Sequence, residues 1–152
     1  MKILDTSMKM LKQIHTLLGD MEYRVTGLTA VNLYGYGIST NVFDIAVESD
    51  EAVYEAVKRL ELPEAPEFPT YDPYIWRYED GNHSFYVKIQ GDLMGEPIIH
   101  PSGIKLHSKE LLLERLDIYA KQDARVLKAL AFCALTLNEE KTAKYKEYWN
   151  RL

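Results

Sequence analysis

The sequence predicts an α+β fold, a sheet flanked by helices with further helices at its C-terminal end. Three observations carry that prediction. Apolar residues recur at three- and four-residue spacing near the N-terminus; they alternate in VFDIAV and in FYVKIQ with a helical segment between; and helical periodicity takes over from Ser108. At 152 residues the chain has the length of one domain, enough to bury its apolar surface in a single core. We expect one unit, with an α/β core over residues 1–107 and a helical part over 108–152.

Taken in order, Met8, Leu11, Ile14, Leu17 and Leu18 form the stripe of an amphipathic helix from Ser7 to Leu18, ended by Gly19 and capped by Asp5, Thr6 or Ser7. His15 lies beside that stripe and receives no role. Tyr23 to Val25 reads as a strand that breaks at Gly27. A helix opening at Thr29 or its neighbour then runs through Tyr34, and Gly35 and Gly37 close it before a polar loop of Ser39, Thr40 and Asn41. A glycine at position 27 lets a helix N-terminus come close to a ligand or to another backbone; a tight turn is the plainer reading.

In the strand Val42 to Val47, alternation puts Phe43, Ile45 and Val47 on the core face and Val42, Asp44 and Ala46 on the other. Ser49 or Asp50 caps a helix from Glu51 to Leu60, and the prolines from Pro63 to Pro73 impose an extended connection. Its aromatic residues, Tyr71, Tyr74 and Trp76, suit a small satellite core or a stacking surface. Ile75–Tyr78 and Ser84–Gln90 read as strands of a hairpin turned at Asp80-Gly81, with Lys88 opposite the core face. Short strands are expected at Ile98–Ile99 and Gly103–Leu106. Ser108 caps a helix from Glu110 to Tyr119, Ala124–Leu137 is a more apolar helix, and the tail from Glu139 is helical, with Tyr145, Tyr148, Trp149 and Leu152 spaced to dock one face.

Composition narrows the function. Hydrophobic residues at 47% and charged residues at 27% match a soluble globular protein, and a net charge of −5 weighs against broad nucleic-acid binding. The single cysteine, Cys133, forms no internal disulfide, and its apolar neighbours predict a buried, inert thiol. Lysines interrupt the N-terminal apolar residues and no stretch reaches spanning length, so a cytoplasmic protein away from membranes is expected.

The succession of helix, strand, Gly turn, helix, polar loop, carboxylate-bearing strand, helix and further strands resembles the nucleotidyltransferase fold of the DNA polymerase beta-like superfamily. Its small bacterial branch of abortive-infection type toxin nucleotidyltransferases is the nearer likeness. In that branch a strand runs into a Gly-Gly or Gly-Ser turn, an Ala-containing helix, an Arg-x-Thr loop and Asp-x-Asp on the next strand. TGLTAVNLYG and STNVFDIAV follow that order. GIKLHSKELLLERLDIYAKQDARVLKAL resembles the strand, Ser-capped helix and Lys-Asp helix that come later, with Gln122-Asp123 at the Lys-Asp pair. The likeness covers residues 4–137 and implies a nucleotidyltransferase-like mixed sheet.

What it implies for chemistry is a site whose parts have changed. In the family, two carboxylates on one strand and a third on a later strand hold divalent metals, because hard cations take oxygen ligands. With Thr40 set on the family threonine, Val42 takes the place of the first aspartate and Asp44 that of the second, while Lys88 falls on the third position. Leu28 replaces the second small residue of the turn. The resemblance thus makes Asp44 the candidate catalytic residue and Gly27, Thr29, Ser39, Thr40 and Lys88 the candidate nucleotide-binding residues, with no metal-ligand set assigned.

The expected function is a nucleotidyltransferase-fold protein that has lost metal-dependent transfer and binds a nucleotide or a protein partner, in a toxin–antitoxin or phage-defence setting. Two alternatives stay open. One is an active transferase in which Glu48, Asp50 or Asp92 joins Asp44 around magnesium; no cofactor is expected otherwise. The other is an antitoxin-like or regulatory interaction module that uses the aromatic segment or the tail. The oligomeric state is not legible in the sequence.

Overall fold

The computed structural model describes residues 2–34, 42–62, 74–77 and 84–119. Helix α1 (Lys2–Leu18) leads into strand β1 (Tyr23–Val25), helix α2 (Gly27–Leu33), strand β2 (Val42–Val47) and helix α3 (Asp50–Arg59). Strands β3 (Tyr74–Arg77), β4 (Ser84–Gln90), β5 (Ile98–Ile99) and β6 (Lys105–Leu106) follow, and helix α4 (Lys109–Tyr119) closes the described part. The strands form one mixed sheet in the order β3-β4-β2-β1-β6-β5. β2 runs parallel to β4 and β1 parallel to β6, while the other neighbours are antiparallel. The expected α+β fold is the observed one.

The core lies on one face of this sheet. Phe43, Ile45 and Val47 of β2, Tyr23 and Val25 of β1, Val87 and Ile89 of β4 and Leu106 of β6 are buried there with Met10, Leu11, Ile14 and Leu18 of α1 and Ala56 of α3. The alternation in each strand dictates this, since a period of two sends every second side chain to the same side. Val42 and Asp44 of β2 occupy the opposite face, in register with Tyr86 and Lys88 of β4. Val42, Asp44, Tyr86 and Lys88 are half-buried there, which makes it the more open of the two faces among the described residues.

Several boundaries differ from expectation. α1 begins at Lys2 instead of Ser7, because no Gly or Pro interrupts residues 2–18 and Asp5 suits a helical first turn. α2 begins at Gly27 instead of Thr29: Thr26 has extended backbone and its carbonyl accepts the Ala30 amide at 3.1 Å, which makes it the N-cap. α3, β3 and α4 each start one residue earlier than expected. β6 is shorter than expected, because residues 100–103 form the turn that pairs it with β5; Gly103 takes φ +91° and donates to the His100 carbonyl at 2.8 Å.

Ser49 does cap α3, its hydroxyl accepting the Ala52 amide at 3.1 Å, and Ser108 caps α4 through the Leu111 amide at 3.2 Å. No described helix is long and apolar enough to cross a membrane. The Asp80-Gly81 turn, Tyr71, Cys133, Gln122-Asp123, the second C-terminal helix and the aromatic tail lie outside the described residues, as do Ser39 and Thr40.

Candidate functional site

The site is built where β1 gives way to α2. The Thr26 amide donates to the Asp44 carbonyl at 2.9 Å, which extends the β1–β2 ladder by one bond. The chain then turns at Gly27, whose φ of +59° a residue with a Cβ rarely adopts. Space excludes a side chain as well. A Cβ at this position would lie 2.6 Å from the Asp44 Oδ2 and 2.9 Å from its Cγ. Gly27 therefore admits the carboxylate of the neighbouring strand into contact with the first turn of α2.

Thr29 fastens the same junction. Its hydroxyl donates to the Val42 carbonyl at 2.8 Å and accepts the Asp44 amide at 3.1 Å, and its contact with the Asp44 Oδ2, at 3.5 Å, is long. A single hydroxyl thus stands in for a strand neighbour along β2. Thr29 was expected to meet a nucleotide; here it is buried and its bonds are spent on the strand. We expect Thr29→Val to leave two backbone groups unsatisfied and to lower stability by about 1–3 kcal/mol, with Thr29→Ser nearly neutral, as read by urea unfolding.

Asp44 is half-buried, and its carboxyl is pushed up to about 6, chiefly by burial. The Lys88 ammonium and the Thr29 hydroxyl oppose that rise, and the nearby charge of Asp92 adds to it. Lys88 lies on the adjacent parallel strand in register with Asp44, on the same open face. Its ammonium makes no hydrogen bond or ion pair among the described residues, so its attraction to Asp44 acts across a gap.

Beyond β4, residues 91–97 form a strap fastened at five points. Gly91 packs so tightly on the start of α3 that a Cβ would fall 2.5 Å from the Ser49 carbonyl carbon. The Leu93 amide donates to the Val47 carbonyl at 3.1 Å, the Met94 amide to His107 Nε2 at 3.3 Å, and Arg24 Nη2 to the Gly95 carbonyl at 3.0 Å. Arg115 of α4 grips Asp92 twice, through its carboxylate at 2.8 Å and through its carbonyl. Arg24 and Ala46 share that open face and are buried; the Asp44–Lys88 half is half-buried.

His107 anchors the strap from within. It is fully buried, and burial, assisted by the positive charges of Arg115 and Arg24, lowers its pKa to about 4. Because Nε2 accepts the Met94 amide, the proton of the neutral ring sits on Nδ1 and is donated to the Thr26 hydroxyl at 2.8 Å. That engagement explains why Thr26, the N-cap of α2, makes no side-chain cap bond. The Tyr34 hydroxyl donates to the His107 carbonyl at 2.7 Å. Sequence reading found neither this histidine nor Arg24 and Arg115, since a buried polar network leaves no periodic signal.

The divalent metals that the family resemblance implies do not fit these residues. Val42 offers no side-chain donor, Lys88 brings an ammonium beside Asp44, and Arg115 holds one oxygen of the Asp92 carboxylate, the other being buried without a hydrogen-bond partner among the described residues. Glu48 and Asp50, weighed as replacement ligands, lie exposed beyond the end of β2. Among the described residues no group of three or more His, Cys, Asp or Glu is placed to hold a metal ion.

The fold has counterparts among solved structures. The solution structure of the antibiotic-resistance factor ANT(2'')-Ia, an aminoglycoside nucleotidyltransferase, superposes with a TM-score of 0.64 at 11% identity, covering 99% of this chain and 94% of that one. The crystal structure of ANT(2'')-Ia in complex with adenylyl-2''-tobramycin gives 0.61 at 13% identity, over 96% and 98% of the two chains. No family model matches the chain, and no curated protein matches it. At these identities the likeness is one of fold: the chain has a nucleotidyltransferase-like fold.

Proposed function

We propose that this nucleotidyltransferase-fold protein has lost metal-dependent nucleotidyl transfer and acts by binding, with the Asp44–Lys88 face as its binding site. The observation that carries this reading is the register of β2 on β4, which sets an ammonium beside Asp44 and an aliphatic side chain two residues before it. Transfer of a nucleotide through divalent metals needs several oxygen donors converging on one point. A cation tethered to the protein repels a metal ion and attracts a phosphate instead. The adenylyl-2''-tobramycin complex of ANT(2'')-Ia belongs to that protein; among the described residues of this chain no group of three or more His, Cys, Asp or Glu is placed to hold a metal ion.

The ligand is a nucleotide, taken up without a metal; a protein partner is the other arm of the same reading. The toxin–antitoxin or phage-defence setting is supported by the sequence resemblance alone. Thermal unfolding in the presence of ATP, GTP, CTP or UTP, each with and without magnesium, tests the proposal, because a ligand that prefers the folded state raises the midpoint. The expected outcome is a rise that is the same with and without magnesium. A rise that requires magnesium and disappears in Asp44→Ala would restore the active-transferase reading, and no rise with any nucleotide would move the search to protein partners.

A further inference from the structure

Lys88 is a half-buried ammonium with three donors and no hydrogen-bond or ion-pair partner among the described residues. Surface lysines escape that condition by reaching into water, but this one projects from the middle of a sheet beside Asp44. The Asp44 carboxylate does not claim it: its Oδ2 lies against Gly27, towards Thr29. An ammonium held short of its neighbouring carboxylate is arranged to meet something else.

Resting on the binding reading above, we propose that Lys88 is a metal-free site for a tetrahedral oxyanion, the phosphate of a nucleotide or free phosphate, and that Asp44 gates it by its charge. Ionised, the carboxylate offsets the ammonium and repels the incoming anion. Protonated, it leaves the charge of Lys88 uncompensated and can itself donate a hydrogen bond to an oxyanion.

Few other charges among the described residues face this point. On β4 there is Lys88 itself, with Tyr86 one position along the same face. The strap contributes Asp92, whose charge Arg115 of α4 offsets through an ion pair at 2.8 Å. α2 contributes the Thr29 hydroxyl and no charge. On β1, Arg24 is turned to Glu22 at 2.9 Å and to the strap, and His107 stays neutral above pH about 4. Among the described residues Asp44 is therefore the group here that changes charge in the mildly acidic range, consistent with its displacement to about 6.

Sulfate is the suitable probe, since it keeps its charge over that range. Its binding, followed by the backbone amide shifts of residues around Lys88 in magnesium-free buffer, is expected to tighten about tenfold between pH about 7.5 and pH about 5. Asp44→Asn should bind at the tighter level at both pH values, Lys88→Arg should retain binding, and Lys88→Gln should abolish it at both. An affinity indifferent to pH in the unaltered protein, or sulfate binding retained in Lys88→Gln, would overturn the gated site.

Parallel titrations with ATP, adenosine and inorganic phosphate separate the sources and the two readings. If adenosine binds as well as ATP and Lys88→Gln leaves both unchanged, the binding function stands while the anion site falls. If ATP outcompetes phosphate through Lys88, the oxyanion belongs to a nucleotide; if phosphate competes equally, the site takes free phosphate. Loss of all binding in every arm removes both readings.

Discussion

Gly27→Ala destabilises the protein by about 2–4 kcal/mol, of which about 1–2 comes from holding a Cβ-bearing residue at positive φ and the rest from overlap with Asp44. The backbone at position 27 sits at φ +59°, and the new methyl group would fall 2.6 Å from the Asp44 Oδ2. These two penalties can be separated. In Asp44→Ala the carboxylate is gone, so adding Gly27→Ala to that background removes the contacts at 2.6 and 2.9 Å and leaves the φ term with the milder contact to the Cβ of residue 44 at 3.2 Å. A double-mutant cycle read by urea unfolding is expected to give a coupling of about 1–2 kcal/mol between the two positions. Additive effects would mean that the contact does not exist in solution.

The unaltered protein shows a shallow stability profile between pH about 4 and about 6.5, because two groups titrate there in opposite senses. Asp44 is raised from 3.8 to about 6, so its contribution is fully present below 3.8 and is lost as pH rises through about 6. His107 is lowered from 6.5 to about 4, so its contribution is fully present above 6.5 and is lost as pH falls through about 4. Each displacement corresponds to on the order of 3 kcal/mol, and the two nearly cancel.

Removing one partner exposes the other. Asp44→Asn should lose stability steadily on acidification from about 6.5 to about 4, and His107→Gln should gain it over the same range, both measured by urea unfolding along a pH series. Asp20 and Glu22, held low by Arg59 and Arg24, act at the acid end of this range and in all three proteins alike. An Asp44→Asn profile parallel to that of the unaltered protein would contradict the burial of the carboxyl.

Much of the molecule was legible in the sequence because its signals are local. Alternation in VFDIAV and SFYVKIQ placed β2 and β4 and assigned their faces, which put Asp44 and Lys88 on the open side together. The caps at Ser49 and Ser108 were legible for the same reason: a hydroxyl three residues before an amide is a short-range arrangement.

The glycine at 27 read more plainly as a tight turn than as a close approach, and its partner, a carboxylate seventeen residues later, was not legible. Thr29 was a candidate nucleotide-binding residue through the family resemblance; in the structure its hydroxyl bonds to β2. Arg24, His107 and Arg115 were invisible, since burial of a polar group depends on which distant segment folds over it. Here that segment is the strap at 91–97.

By itself, then, the sequence determined the class of fold and the two faces of the sheet, which follow from periodicity along one strand or helix, while the candidate site residues came from the family resemblance. Only the tertiary structure decided the strand order, the register that sets Asp44 opposite Lys88, the bonding of Thr29 to β2 and the neutral, buried state of His107. Those depend on contacts between residues far apart in the chain, and the environment such contacts create sets both burial and charge.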